Sequence, residues 1–169
     1  MIEQIQAAFP QIESCKTNLV KKHTFVIEDK ESKKGVFVSD KQKFHLHVEN
    51  RTTDILYFLQ NDDCIMINQE NGQCDYIIFN TFDFHLIDVK DSEIKSRKSN
   101  YRKKAYDQIE NTFKHYSEYL TFSEKYNLFG LICFPSKSRI IKSSESIKKK
   151  EFKIKYNINL KEGNYILFD

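Results

Sequence analysis

The chain has 169 residues, 40% of them apolar, with 14 Phe and 9 Tyr against only 4 Gly and 2 Pro; that suffices for one packed core and excludes a disordered or collagen-like chain. The formal charge is +3, from 27 basic and 24 acidic residues, so net charge alone marks no nucleic-acid or membrane binder. No apolar run approaches the roughly 20 residues that cross a bilayer, and the opening "MIEQIQAAFPQIES" lacks the basic and apolar regions of a signal peptide, so a cytoplasmic location is expected.

In chain order, residues 2–9 are predicted as a short helix stopped by Pro10, with 11–22 as a second helical piece. "HTFVIED" (23–29), "GVFVSD" (35–40) and "KFHLHVE" (43–49) have the β-branched, aromatic and alternating character of strands, with "DKESKKG" as a polar hairpin loop. "TTDILYFLQ" (52–60) fits helix or strand, "DCIMIN" (63–68) reads as a strand, and "QENG" as a turn. The four cysteines, Cys15, Cys64, Cys74 and Cys133, form no CxxC pair, and three lie in or beside apolar runs where a reduced thiol packs as a small hydrophobe. A zinc site is not expected.

"CDYIIFNTFDFHLIDVK" (74–90) reads as a hairpin. Pairing Phe79 with Phe84 across Asn80-Thr81-Phe82-Asp83 also sets Ile77 opposite Leu86 and Asp75 opposite Asp88, with cross-strand side chains about 5 Å apart on one face. Lys90 shares that face by the period of two. A slip of one residue would turn the two acids apart. The opposite face carries Tyr76, Ile78, His85, Ile87 and Val89, so both faces are apolar and the hairpin is expected to be covered on both sides. From about Ser96 to Leu120 the period changes to that of a helix: Tyr101, Ala105, Ile109, Thr112, Tyr116 and Leu120 form one stripe, and the polar Gln108 falls inside it. "NLFGLICF" (127–134) follows as a buried strand, "PSKSRIIKSSESIKKK" as a loop with a short basic helix, and "EFKIKYNINL" with "NYILFD" as closing strands.

Two carboxylates facing each other raise one another's pKa unless a positive charge lies between them. Mg²⁺ or Mn²⁺ meets that need, taking oxygen ligands and leaving positions for water and phosphate. Asp75 and Asp88 are therefore candidate metal ligands, and Lys90 a candidate to hold a water or steady charge on a phosphate. The bland alternative is an exposed strand-start acid beside a same-face ion pair at a sheet edge, which contributes little. Two basic runs, Lys90–Lys104 with seven basic and two acidic residues and Lys137–Lys155 with eight and two, read equally as a local anion-attracting surface or as two solvated Lys-rich faces. The basic stretch at 95–104 beside the hairpin and the inward Gln108 favours the chemical reading.

Asp75, the strand "YIIF", then "FHLIDVK" and a helix containing "AYDQIENTF" resemble the core of the PD-(D/E)XK nuclease superfamily. More narrowly, residues 44–134 are similar to small bacterial proteins with a "CDYL…ELK…A.EQL..T" pattern. The resemblance implies an α+β fold with a central mixed sheet flanked by helices, extra strands at either end, and Mg²⁺- or Mn²⁺-dependent cleavage of DNA or RNA. It implies Asp75 and Asp88 as metal ligands and Lys90 and Gln108 as catalytic residues. It also implies a possible homodimer or partner protein, and a place in bacterial defence against viruses. No proline precedes Asp75, and the further acid of the first core helix is not identifiable, with Glu3, Glu13, Glu49 and Asp62 all conceivable. A catalytically inactive adaptor of the same fold is the alternative. Arg97, Lys98, Arg102 and Lys103, with Tyr101 and Lys104 among them, are candidate phosphate contacts or solvated helix surface. "SIKKKEFKIK" reads as a second phosphate contact or a Lys-protected edge strand. His45 and His47 share a strand face without a third ligand, and read as ordinary strand residues more readily than as a metal pair; His85 is expected to pack in the core.

Overall fold

The computed structural model describes residues 1–29, 31–67, 72–90, 98–134, 141–142 and 147–169. Helix α1 (Ile2–Ala8) ends before Pro10, as its sequence predicts, and α2 (Ile12–Cys15) is a single turn. The expected helical piece at 11–22 stops there, because β1 (Lys16–Leu19) pairs antiparallel with β5 (Leu56–Gln60) and buries Leu19. Between them come β2 (His23–Glu28), β3 (Gly35–Val38) and β4 (Leu46–Asn50), with β2 and β3 joined as the predicted hairpin.

Residues 63–67 of "DCIMIN" do not form a strand, while Asn68 and most of the turn expected at "QENG" lie outside the described residues. Residues 61–66 wrap around Asn61, whose carbonyl accepts the N–H groups of Cys64, Ile65 and Met66, while its side-chain amide donates to the Cys74 carbonyl at 2.7 Å. The turn buries Ile65 and Met66, which is why the apolar run looks like a strand in the sequence. Its Cys64 is bonded to Cys15, so the expectation of reduced thiols holds only for the buried Cys74 and Cys133. The pair lies 49 residues apart, and no local pattern announces it.

Strands β6 (Tyr76–Phe79) and β7 (Asp83–Val89) form the central hairpin in the predicted register, Phe79 opposite Phe84 and Ile77 opposite Leu86. Helix α3 (Lys98–Tyr119) crosses from β7 to its parallel neighbour β8 (Asn127–Cys133). Beyond lie β9 (Ile141–Lys142), α4 (Ile147–Tyr156), β10 (Ile158–Gly163) and β11 (Tyr165–Phe168). The first part of "EFKIKYNINL" is thus helix. Phe152 and Tyr156 are four residues apart, and both rings meet aromatic side chains of α3: Phe152 meets Tyr106 at 6.0 Å and Tyr156 meets Phe113 at 5.4 Å. That overrides the alternation, leaves Ile154 exposed, and rules out an edge strand at 151–156.

The fold is α+β, with a seven-stranded mixed sheet in the order β1-β5-β6-β7-β8-β10-β9 and a four-stranded mixed sheet in the order β11-β4-β2-β3. The central hairpin separates two cores. Ile77, Phe79, Phe84 and Leu86 face Ala105, Ile109 and Tyr116 of α3, together with Phe152 of α4. Tyr76, Ile78, Ile87 and Val89 face Val26, Leu46, Val48, Ile166 and Phe168 of the smaller sheet. Both faces of the hairpin are covered as expected, one by helices and the other by a second sheet. Among the described residues no helix is long and apolar enough to cross a membrane.

Candidate active site

Asp88 and Lys90 stand at the carboxyl end of β7, beside the parallel strand β8, where open α/β sheets present their functional groups. Asp75 immediately precedes β6, and its carboxylate accepts the Val89 N–H. Its backbone is held from three sides: the Asp75 carbonyl takes the Asn61 N–H at 2.9 Å, the Cys74 N–H donates to Thr112 Oγ1 at 2.8 Å, and the Asn61 amide holds the Cys74 carbonyl. Thr112 lies on the inward stripe of α3, so the docked helix holds the residue that precedes Asp75.

Asp88 is fully buried. Lys90 Nζ donates to its Oδ1 at 2.8 Å and lies 2.7 Å from Oδ2, which makes no hydrogen bond of its own. The same ammonium donates to Gln108 Oε1 at 2.7 Å, and Gln108 Nε2 donates to the Gln73 carbonyl at 2.8 Å. The second bond fixes which way the Gln108 amide faces, so its oxygen is turned to the lysine. Gly72 makes this possible: at φ +71° it sits against Gln108, and a Cβ there would lie 3.3 Å from Gln108 Cγ. The structure thus brings Asp75, Asp88, Lys90 and Gln108 to one lip of the sheet.

Burial raises the pKa of Asp75 above the carboxylate range, and the neighbouring Asp88 charge adds to the rise. Burial raises Asp88 as well, against the opposing pull of Lys90 and Lys104. Of the four acids conceivable as a third member, Asp62 is the one linked to the site. It accepts from Gln73 Nε2, feels the Lys90 charge, and is raised by burial and by Asp63. Glu3 is exposed on α1, Glu13 is exposed and paired with Lys16, and Glu49 belongs to the smaller sheet, bonded by Arg51 and by the Tyr165 hydroxyl. Glu28, at the end of β2, adds its negative field to both Asp75 and Asp88. Nothing local in "HTFVIED" marks Glu28; only the stacking of the two sheets brings it near.

The donor set fits a hard divalent cation in part: two buried carboxylates in a field of further acids, although both oxygens of Asp88 already lie within 2.8 Å of the Lys90 ammonium. Among the described residues no group of three or more His, Cys, Asp or Glu side chains could hold a metal. Any ion at the pair would therefore take its remaining ligands from outside these side chains.

The predicted phosphate contacts separate. Arg102 is committed to Glu162 of β10 through two hydrogen bonds, 2.9 and 3.0 Å, and its guanidinium lies 5.5 Å from the Phe134 ring centre; it ties α3 to the sheet. Lys103 and Lys104 are exposed. Lys98 opens α3, and Arg97 and the segments 135–140 and 143–146 lie outside the described residues. His47 is buried, stacks on Phe25 at 4.4 Å and lies 3.3 Å from His23, while His45 Nδ1 accepts the Glu28 N–H. His85 packs in the core against Phe129.

No family model matches the chain, and no curated protein or solved structure matches it either.

Proposed function

We propose that this is a nuclease, hydrolysing phosphodiesters of DNA or RNA with Mg²⁺ or Mn²⁺ held by Asp75 and Asp88. The observation that carries the reading is the meeting of those two acids with Lys90 and Gln108 at the open end of parallel strands. A cation held there would supply charge neutralisation for a phosphate and a water of lowered pKa. Lys90 is placed to hold the scissile phosphate or the attacking water. Gln108 keeps the ammonium oriented through its fixed amide, and Lys103 and Lys104 offer exposed charge to the nucleic-acid backbone.

The closed Asp88–Lys90 pair favours a second reading, a non-catalytic adaptor of the same fold in which Lys90 neutralises Asp88. One experiment separates them. Plasmid, single-stranded DNA and structured RNA are incubated with the protein, with and without Mn²⁺, beside Asp88→Asn. The nuclease reading expects metal-dependent cleavage reduced at least about 100-fold in the variant. Undiminished cleavage by Asp88→Asn, or none by the wild type on any substrate, rejects it.

A further inference from the structure

The disulfide lies at one end of a continuous chain of bonds whose other end is Lys90. Cys15 closes α2, and Cys64 belongs to the turn organised by Asn61. Two residues before Cys64, Asp62 accepts from the Gln73 side chain; the Gln73 carbonyl accepts from Gln108, and Gln108 accepts from Lys90. Gln11, beside α2, donates to the Ile65 carbonyl at 2.9 Å and fastens the same turn from the same side. Apart from the disulfide, that bond and a 3.4 Å contact from the Gln60 amide of β5 to the Asp62 carbonyl, the described polar ties of residues 61–66 run to the 73–75 segment and to Tyr116 of α3. A change at Cys64 therefore has a short, bonded route to the site.

The bond is also reachable. A pocket of about 190 Å³ opens on it, lined by Cys15 and Cys64 with Ser14, Lys16, Lys34 and Gln60. Cys15 is buried and Cys64 half-buried, so Cys64 is the more accessible residue of the pair. Two lysines on the lining favour an anionic reductant.

We propose that Cys15–Cys64 is a redox-active bond that sets how firmly Lys90 is seated on Asp88. A dithiol reductant supplies the electrons. Its thiolate attacks Cys64 Sγ, and Cys15 Sγ leaves with the bonding pair and takes up a proton. The second thiolate of the reductant then displaces Cys64 and closes the reductant into its own disulfide. The product is a dithiol protein whose 61–66 turn keeps apolar packing against the N-terminal helices and, among the described hydrogen bonds, the Gln11 tie to that segment, so Asp62, Gln73 and Gln108 hold Lys90 less firmly. This coupling belongs to the fold and stands whether or not the site cleaves nucleic acid.

Two measurements test it without an activity assay. Amide exchange on the oxidised protein, and on the same protein reduced with dithiothreitol, should show about tenfold faster exchange at Ile65, Met66 and Cys74 after reduction. The His47 and Asn50 amides, which are bonded in the smaller sheet, should not change. Because coupling is reciprocal, Gln108→Ala should shift the dithiothreitol equilibrium of the bond towards the dithiol by about fivefold. A bond that only stabilises the whole fold would speed exchange everywhere and ignore residue 108. Uniform acceleration, no acceleration, an unmoved equilibrium in Gln108→Ala, or four free thiols in air-oxidised protein would each overturn the proposal.

Discussion

At the level of single residues, the chain tolerates two kinds of buried titratable group with opposite pH signatures. His85 is walled by Phe129 and Phe168, and its Nε2 makes no hydrogen bond. Burial, helped by the Lys161 charge, lowers its pKa to about 3. The unfolded chain protonates this histidine below its ordinary value near 6.5, whereas the folded chain does not, so stability falls as pH drops from about 6.5 towards 3. The loss approaches about 1.4 kcal/mol per pH unit in that window. His85→Phe keeps the stack, removes the unmatched nitrogen and removes this proton uptake. Urea denaturation at pH 7.5 and pH 4.5 should show a smaller acid loss in the variant than in the wild type; equal losses would mean that His85 is protonated in the folded state. Asp75, Asp88, Lys90 and Gln108 are legible in the sequence because hairpin register and helix period each place them on one face. Asp62 and Glu28 join through a turn and a sheet stacking that short-range patterns do not encode. Arg102 reads as a free cation only because Glu162, its partner, is 60 residues away.

At the level of elements, two positions decide whether α3 can place the site. Gly130 of β8 faces the helix, and a Cβ there would lie 2.5 Å from Leu160 Cδ2 and 3.1 Å from Ile109 Cγ2. The strand needs glycine because the helix and β10 close over it. Gly130→Ala should cost about 1–3 kcal/mol by overpacking, measured by chemical denaturation. A variant as stable as the wild type would show that α3 has room to shift. Asn61 is the second position. Its side chain joins the Cys74 carbonyl to the Tyr116 hydroxyl, both buried. Asn61→Ala leaves those two groups unmatched, at about 1–3 kcal/mol each, and frees the backbone on which Asp75 stands. Stability should fall and, on the proposed metal-binding reading, Mg²⁺ affinity with it; a loss of stability with undiminished Mg²⁺ affinity would place the support of Asp75 elsewhere. These dependencies explain what is legible. The hairpin and α3 follow from strong periods of two and 3.6. The 61–66 turn does not, because its backbone closes onto the Asn61 carbonyl and buries its apolar residues in a turn rather than in a pleat. Residues 151–156 mislead because positions 152, 154 and 156 alternate, while the fold uses only 152 and 156.

At the level of the molecule, the two sheets and the helices converge on a site that holds more negative charge than its buried surroundings favour. The raised pKa values of Asp75 and Asp88 mean that the folded chain binds more protons than the unfolded chain from the ordinary carboxylate range upward. The stabilising contribution of the protonated pair is present below that range and is lost as pH rises through the raised values. His85 has the opposite slope at acid pH, but above about 6.5 it is neutral in both states and adds none. From pH 6.5 to 8 the acid pair therefore governs the trend from these buried groups, and wild-type stability should decline. Asp88→Asn should flatten the decline, because the remaining Asp75 no longer faces a like charge. Mg²⁺ in the millimolar range should reverse it in the wild type, since a cation binds the ionised pair and competes with protons. The melting temperature should rise with Mg²⁺ by several degrees at pH 8, by less at pH 5.5, and not at all in Asp88→Asn. A rise that is equal in the variant would assign the ion to other carboxylates. No rise at either pH would leave Lys90 as the cation that Asp88 keeps.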